Sequence, residues 1–136
     1  MVLAAKHFPT DTIINVDQDP NWIAVSRRIA GDMGIQDQVQ HMIRDVNQID
    51  YRQAEFPSVV INTSTNDIAG RDWFDNIPSG TIVVLQGRDM AGFEQSWPSL
   101  TEFVREYPMR TLLFRGQLPL QDPETPYHRY MIIGIR

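Results

Sequence analysis

Short apolar runs alternate with polar, helix-forming stretches along the chain. The first run, Ile13-Ile14-Asn15-Val16, closes on Asp17 and turns at once into Asp19-Pro20. Asp19 suits an N-cap, and Pro20 suits the first helical position, where its missing N–H is an orphan anyway. Trp22, Val25, Ile29 and Met33 then recur at helical spacing. They predict a helix from Pro20 to Met33 with that face buried, and Gly34 is a natural stop.

The same reading extends to the rest. Met1 to Pro9 predicts the last turns of a helix, ended by the proline. Val39, His41 and Ile43 alternate with more polar neighbours, a strand with one face better buried that ends on Asp45. Ser58 to Asn62 and Thr81 to Gln86 are continuous apolar runs. Such runs predict strands buried on both faces, as in a parallel sheet. Asp72 to Ile77 predicts a short helix. Ser99-Leu100-Thr101-Glu102 is a capping box, and its helix runs to Tyr107 before Pro108. Thr111 to Arg115 and Tyr127 to Ile135 are strands, with Pro119, Pro123 and Pro126 punctuating a turn-rich link. No helix separates them, so they should pair antiparallel.

Alternating elements imply an α/β fold: a three-layer sandwich with a mostly parallel sheet, closed by an antiparallel strand pair. At 136 residues the expectation is a single domain covering the whole chain. The hydrophobic fraction of 42% and charged fraction of 21% are ordinary for a soluble globular protein. A formal net charge of -5 argues against nucleic acid and an anionic membrane as partners. There are no cysteines, so disulfides, thiolate metal sites and a cysteine nucleophile are excluded, and a cytoplasmic setting fits. No apolar run approaches the ~18 residues of a membrane span.

The chemistry-bearing residues are few. His7, His41 and His128 are far apart and lack metal-ligand spacing, so no metal is expected. Ser64 and Ser99 lack a G-x-S-x-G setting. Trp22, Trp73 and Trp97 read as packing residues, with Trp97 the best placed of them to line a pocket. Asp17, Asp45 and Asn62 each close a strand. Strand carboxyl ends are where such sheets bind ligands.

Three stretches and the ending carry a resemblance. Ile14-Asn15-Val16-Asp17-Gln18-Asp19-Pro20, Val60-Ile61-Asn62-Thr63-Ser64, Ile77 to Gln86 and Tyr127-His128-Arg129-Tyr130-Met131-Ile132-Ile133-Gly134 together resemble bacterial class I (Rossmann-like) S-adenosylmethionine-dependent methyltransferase-like proteins. The likeness spans nearly the whole chain. It implies S-adenosylmethionine as cofactor. Asp17 would accept hydrogen bonds from the ribose hydroxyls, with Gln18 beside the adenine edge. Asp45 would meet the adenine amino group, and Asn62 would stand between cofactor and methyl acceptor. It names no catalytic base.

The sequence also departs from that group. Its members open with a strand and a glycine-rich turn, whereas here no glycine precedes Gly31. After Asn62-Thr63-Ser64 they carry cysteine, glutamate and histidine, where Thr65, Asn66 and Asp67 stand here. The expectation is a sheet lacking its first strand, in a gene fragment or a complete shortened relative. Such a protein is a methyltransferase, or a non-catalytic remnant serving as a binding or assembly module, or a binder of another nucleotide. A homodimer would close the gap left by the missing strand.

Overall fold

The structure, a computed structural model, describes residues 10–51, 58–90, 92–121 and 125–136. The helix expected before Pro9, and Pro123, lie outside them. The chain divides into two compact units, Met1–Ile49 and Asp50–Arg136, each described by itself. No helix among the described residues is long and apolar enough to cross a membrane.

The first unit is a βαβ turn of chain. Strand β1 (Ile13–Asp17) leads into helix α1 (Pro20–Asp32), and strand β2 (Val39–Ile43) pairs with β1 in parallel. Asp19 caps α1 as expected, its side chain accepting the Asn21 N–H at 2.8 Å. At the other end Gly34 has φ 66°. The Gly34 N–H donates to the Gly31 carbonyl and the Ile35 N–H to the Ala30 carbonyl, each at 3.0 Å. This is the Schellman ending, in which a residue free to take positive φ satisfies the orphan carbonyls. It also folds Ile35 back onto Ala30, and these two with Val39 and Ile13 form the small core.

The buried stripe of α1 is not the one the spacing suggested. Ile23 and Ala30 are fully buried, while Trp22 is 63% exposed and Val25, Ile29 and Met33 are exposed with it. The reason is local. Asn15 Nδ2 donates to Ser26 Oγ at 3.0 Å, turning the Ile23–Ser26–Ala30 face toward β1. Small residues on that face let helix and strand approach closely. The bulky stripe, a quarter turn or so away, is left outward.

The second unit is a mixed four-stranded sheet in the order β3-β4-β6-β5. Its strands are β3 (Val59–Asn62), β4 (Ile82–Arg88), β5 (Thr111–Gln121) and β6 (Pro126–Ile135). β3 and β4 are parallel, and β6 runs antiparallel to both β4 and β5, as the closing pair should. Two helices are inserted, α2 (Asp72–Asp75) and α3 (Leu100–Glu106). Ser99 Oγ accepts the Glu102 N–H at 3.2 Å, the first half of the capping box. The Glu102 carboxylate turns instead to Arg105 at 2.8 Å.

One face of this sheet is sealed by aromatic rings. Trp73, Phe74, Trp97, Phe103, Tyr107 and Tyr130 pack edge-on or tilted, with neighbouring centroids 4.8 to 6.0 Å apart. Beneath them lie Val83, Leu85 and Ile132, fully buried. A Cβ at Gly87 would stand 2.6 Å from Phe103 Cε2, so only glycine admits the ring there. Trp97 is therefore packing, not pocket lining. Burial raises the phenol pKa of Tyr107 and that of Tyr130.

The apolar runs are not buried on both faces. Val59, Ile61, Ile82 and Phe114 share the other side of the sheet by register, and all are exposed. Both inserted helices of this unit add their rings to the opposite face. A second correction concerns Pro119, which lies inside β5 opposite His128 rather than in a turn. β5 is an edge strand, where a missing N–H on the outer side costs no ladder bond.

These assignments separate two substitutions. Phe103→Ala should destabilise the protein by about 3–5 kcal/mol, the usual range for a buried aromatic. Trp22→Ser should stay within about 0.5 kcal/mol, the range for surface positions. Urea unfolding monitored by far-UV circular dichroism measures both.

Candidate functional site

Three residues singled out at strand carboxyl ends use one device. The Asp17 carboxylate accepts the Asp19 N–H at 2.9 Å, and that of Asp45 accepts the Asn47 N–H at 2.9 Å. The Asn62 side-chain oxygen accepts the Ser64 N–H at 2.9 Å. Each side chain thus holds the backbone two residues on in an Asx turn, bending the chain off its strand. Each carboxylate keeps a second oxygen, and among the described residues neither Asp17 nor Asp45 spends it on a hydrogen bond.

Asp17 and Asp45 lie at one edge. Asp17 pairs with Ile43 in the parallel ladder, and the Arg44 N–H continues it to the Asp17 carbonyl at 3.0 Å. Asp45, one residue further, caps the 3₁₀ turn Val46–Gln48. Gln18 is exposed beside them. Asn62 belongs to the second unit. His41, on β2, has its pKa lowered by burial and then by the charge of Arg27.

The loop after Asn62 is stitched to β4. Thr65 Oγ1 donates to the Gln86 carbonyl. Asn66 Nδ2 donates to the carbonyls of Arg88 at 3.0 Å and Gln95 at 2.7 Å. Gln95 Nε2 in turn holds the carbonyls of Ile68 and Gly70, each at 2.7 Å. Thr65 and Asn66 are buried. The side chains of Thr65 and Asn66 are thus committed to backbone carbonyls, whereas the Asp67 carboxylate faces Arg88.

That stitching frames a polar cavity of about 210 Å3 at the carboxyl ends of β3 and β4. Thr63, Ser64, Asp67, Gln86, Arg88 and Arg129 line it. Arg88 stacks on the Phe93 ring at 3.6 Å and approaches Asp67 at 3.8 Å. Arg129 Nη1 donates to Gln86 Oε1 at 3.3 Å.

On the opposite side of the same sheet end, Asp89 grips His128. Its Oδ1 accepts the His128 N–H at 2.7 Å, and its Oδ2 lies 2.8 Å from Nδ1. Burial alone would raise the Asp89 pKa, but the His128 backbone N–H and imidazole outweigh it and hold the carboxyl below its ordinary value. Neither this pair nor the two arginines can be read from local spacing. They meet through the register of β4 on β6, about forty residues apart in sequence.

No protein-family model matches the chain, and no curated protein matches it in sequence. Solved structures do match. The N-methyltransferase NodS of Bradyrhizobium japonicum WM9, in complex with S-adenosyl-L-homocysteine, superimposes with a TM-score of 0.63 at 14% identity, over 90% of this chain and 66% of that one. Geranyl diphosphate C-methyltransferase of Streptomyces coelicolor A3(2), in complex with Mg2+, geranyl-S-thiolodiphosphate and S-adenosyl-L-homocysteine, gives 0.67 at 13% identity, over 99% and 64%. An RNA methyltransferase of Salinibacter ruber, in complex with S-adenosyl-L-homocysteine, gives 0.52 at 19% identity, over 96% and 71%.

The fold is that of the class I S-adenosylmethionine-dependent methyltransferases. This chain spans just under two thirds of the NodS and geranyl diphosphate methyltransferase structures.

Asp89 supplies a pH test. Its folded-state pKa lies below the unfolded one, so its stabilising contribution is present above about pH 4, the ordinary Asp value. It is lost as pH falls through the lower folded value. Asp89→Asn should therefore flatten the acid side of the stability curve, as read from urea midpoints against pH.

Proposed function

We propose that this protein binds S-adenosylmethionine at the edge that carries Asp17 and Asp45, as a methyltransferase-like protein. The observation that carries the reading is that these two acids adjoin at the carboxyl end of the β1–β2 pair, within a methyltransferase-like fold. The fit is chemical. An ionised carboxylate offers two oxygens, and the Asx turn of Asp17 occupies only part of one. It can still accept from both hydroxyls of a ribose. In this reading Gln18 lies beside the adenine edge and Asp45 accepts from its amino group. Asn62 stands toward the methyl acceptor, a role that rests on the resemblance alone.

The bound cofactor supplies an activated methyl group for an O or N nucleophile. The chain's own part is to hold the adenosine and orient the acceptor, since such chemistry depends mainly on positioning. The architecture that goes with this reading is a single-domain three-layer sandwich lacking its first strand. In support, β1 and β3 each have a strand partner on one side only, among the described residues. The chain has no glycine before Gly31 to approach the methionine part of the ligand. In this reading the protein acts in the cytoplasm, without nucleic-acid or membrane partners.

A second reading, an assembly module, is favoured by a different observation. Trp22, Val25 and Ile29 on α1, and Val59, Ile61 and Ile82 on the open sheet face, are exposed apolar stripes. Clustered exposed apolar side chains mark interaction surfaces. The occupant we propose is a second copy, giving a homodimer.

Two measurements test these readings. Isothermal titration with S-adenosyl-L-homocysteine should show saturable heat, and Asp17→Ala should weaken binding by about tenfold or more, as loss of a charge-assisted hydrogen-bond pair does. No heat at millimolar ligand would leave the assembly reading. Light scattering on a sizing column should give twice the chain mass, and Ile61→Asp should return it to the monomer. A wild-type monomer sinks the homodimer.

A further inference from the structure

We propose that the polar cavity of the second unit binds the oxyanion group, carboxylate or phosphate, of a small molecule between Arg88 and Arg129. Arg88 and Arg129 are directly opposed partners in the antiparallel β4–β6 ladder. Opposed side chains project to the same side with Cβ atoms about 5 Å apart, and like charges so placed repel. A protein keeps such a pair at a cost unless something negative lies between or beside them.

The available partners fall short of that. Asp67 reaches Arg88 only at 3.8 Å and is itself half exposed. Arg129 meets the neutral amide of Gln86, at 3.3 Å, and no carboxylate among the described residues. Two guanidinium charges against one loose carboxylate leave the cavity net positive, in a chain whose net charge is -5. The local sign therefore runs against the global one.

The site is also built rather than accidental. Phe93 beneath the Arg88 guanidinium fixes its plane, and Arg129 is steadied by Gln86. Guanidinium groups held in plane offer paired N–H donors that match the two oxygens of a carboxylate or phosphate. The hydroxyls of Thr63 and Ser64 at the rim add neutral donors. The loop that carries them is tied down through Thr65, Asn66 and Gln95. A volume of about 210 Å3 admits an acid group and a few further atoms, not a large ligand. The overall negative charge disfavours a polyanion, so the ligand is a small molecule. That the acid group belongs to the methyl acceptor rests on the function proposed above; the binding of the anion itself does not.

The test is a titration of the full chain with inorganic phosphate, and separately with acetate, followed by backbone amide NMR. Saturable shifts at Gly87, Arg88 and Arg129 are expected. Arg129→Gln should weaken phosphate binding about tenfold or more, the loss of a charge-assisted contact. Asp67→Asn should strengthen it, because it removes the carboxylate that competes for Arg88. Circular dichroism melts establish that each variant is folded, and the gain in Asp67→Asn does not depend on Arg129→Gln folding. The proposal is overturned if neither anion shifts these amides saturably, or if Asp67→Asn weakens binding. It is also overturned if a short single-stranded RNA saturates the same amides at lower concentration than phosphate. S-adenosyl-L-homocysteine is followed in parallel at the amides of Asp17 to Asp19. Its failure to bind counts against the cofactor reading and leaves the phosphate result standing.

Discussion

Phe103 packs closely against the backbone of Gly87, and much of the second unit follows from that contact. A ring can press so close only where no side chain intervenes. Once seated, it gathers Trp97, Tyr107 and Tyr130 around it and closes one side of the sheet. The strand period of two then leaves no choice for the neighbours of Gly87. Gln86 and Arg88 must project from the opposite side, with Arg129 across from Arg88. The polar cavity is thus a by-product of where the aromatic core sits. Apolar packing decides which side of the sheet is free to carry charge.

At the strand ends a second economy operates. Asp17, Asp45 and Asn62 each turn the backbone with one side-chain oxygen, through contacts at 2.9 Å. The turn orients the side chain, and a carboxylate so oriented still has acceptor capacity facing outward. Structure and recognition need not compete for the same residue. The bland role of these residues, holding a turn, is the one the geometry shows directly. It is also the role that would pre-position them for a ligand.

What the sequence told in advance was mostly local. Asp19-Pro20, Gly34 and Ser99 act within a few residues of themselves, and the caps and stops they signal are where they were expected. What it hid was relational. The Trp22 stripe and the Ile23–Ala30 stripe have the same period, and which faces in is set by contacts across the unit: the Asn15–Ser26 hydrogen bond and the packing of Ala30 with Ile35 and Val39. An apolar run such as Val59–Asn62 shows affinity for a cover on both faces, not that a cover is present. Pro119 signals a break unless the strand is known to be an edge. The Arg88–Arg129 and Asp89–His128 pairs depend on a register that local patterns do not encode. The candidate site was legible where it consists of strand ends, and illegible where it consists of cross-strand neighbours.

Pro119 has one more effect. It sits in β5, the outermost strand on that flank, and offers no N–H to an incoming chain. Its ring breaks the row of donors that an extended visitor would need, so that flank resists further growth. The flank formed by β3 contains no proline between Val59 and Asn62. Extension of this sheet is therefore directional: a blunt margin on one side, an accepting margin on the other.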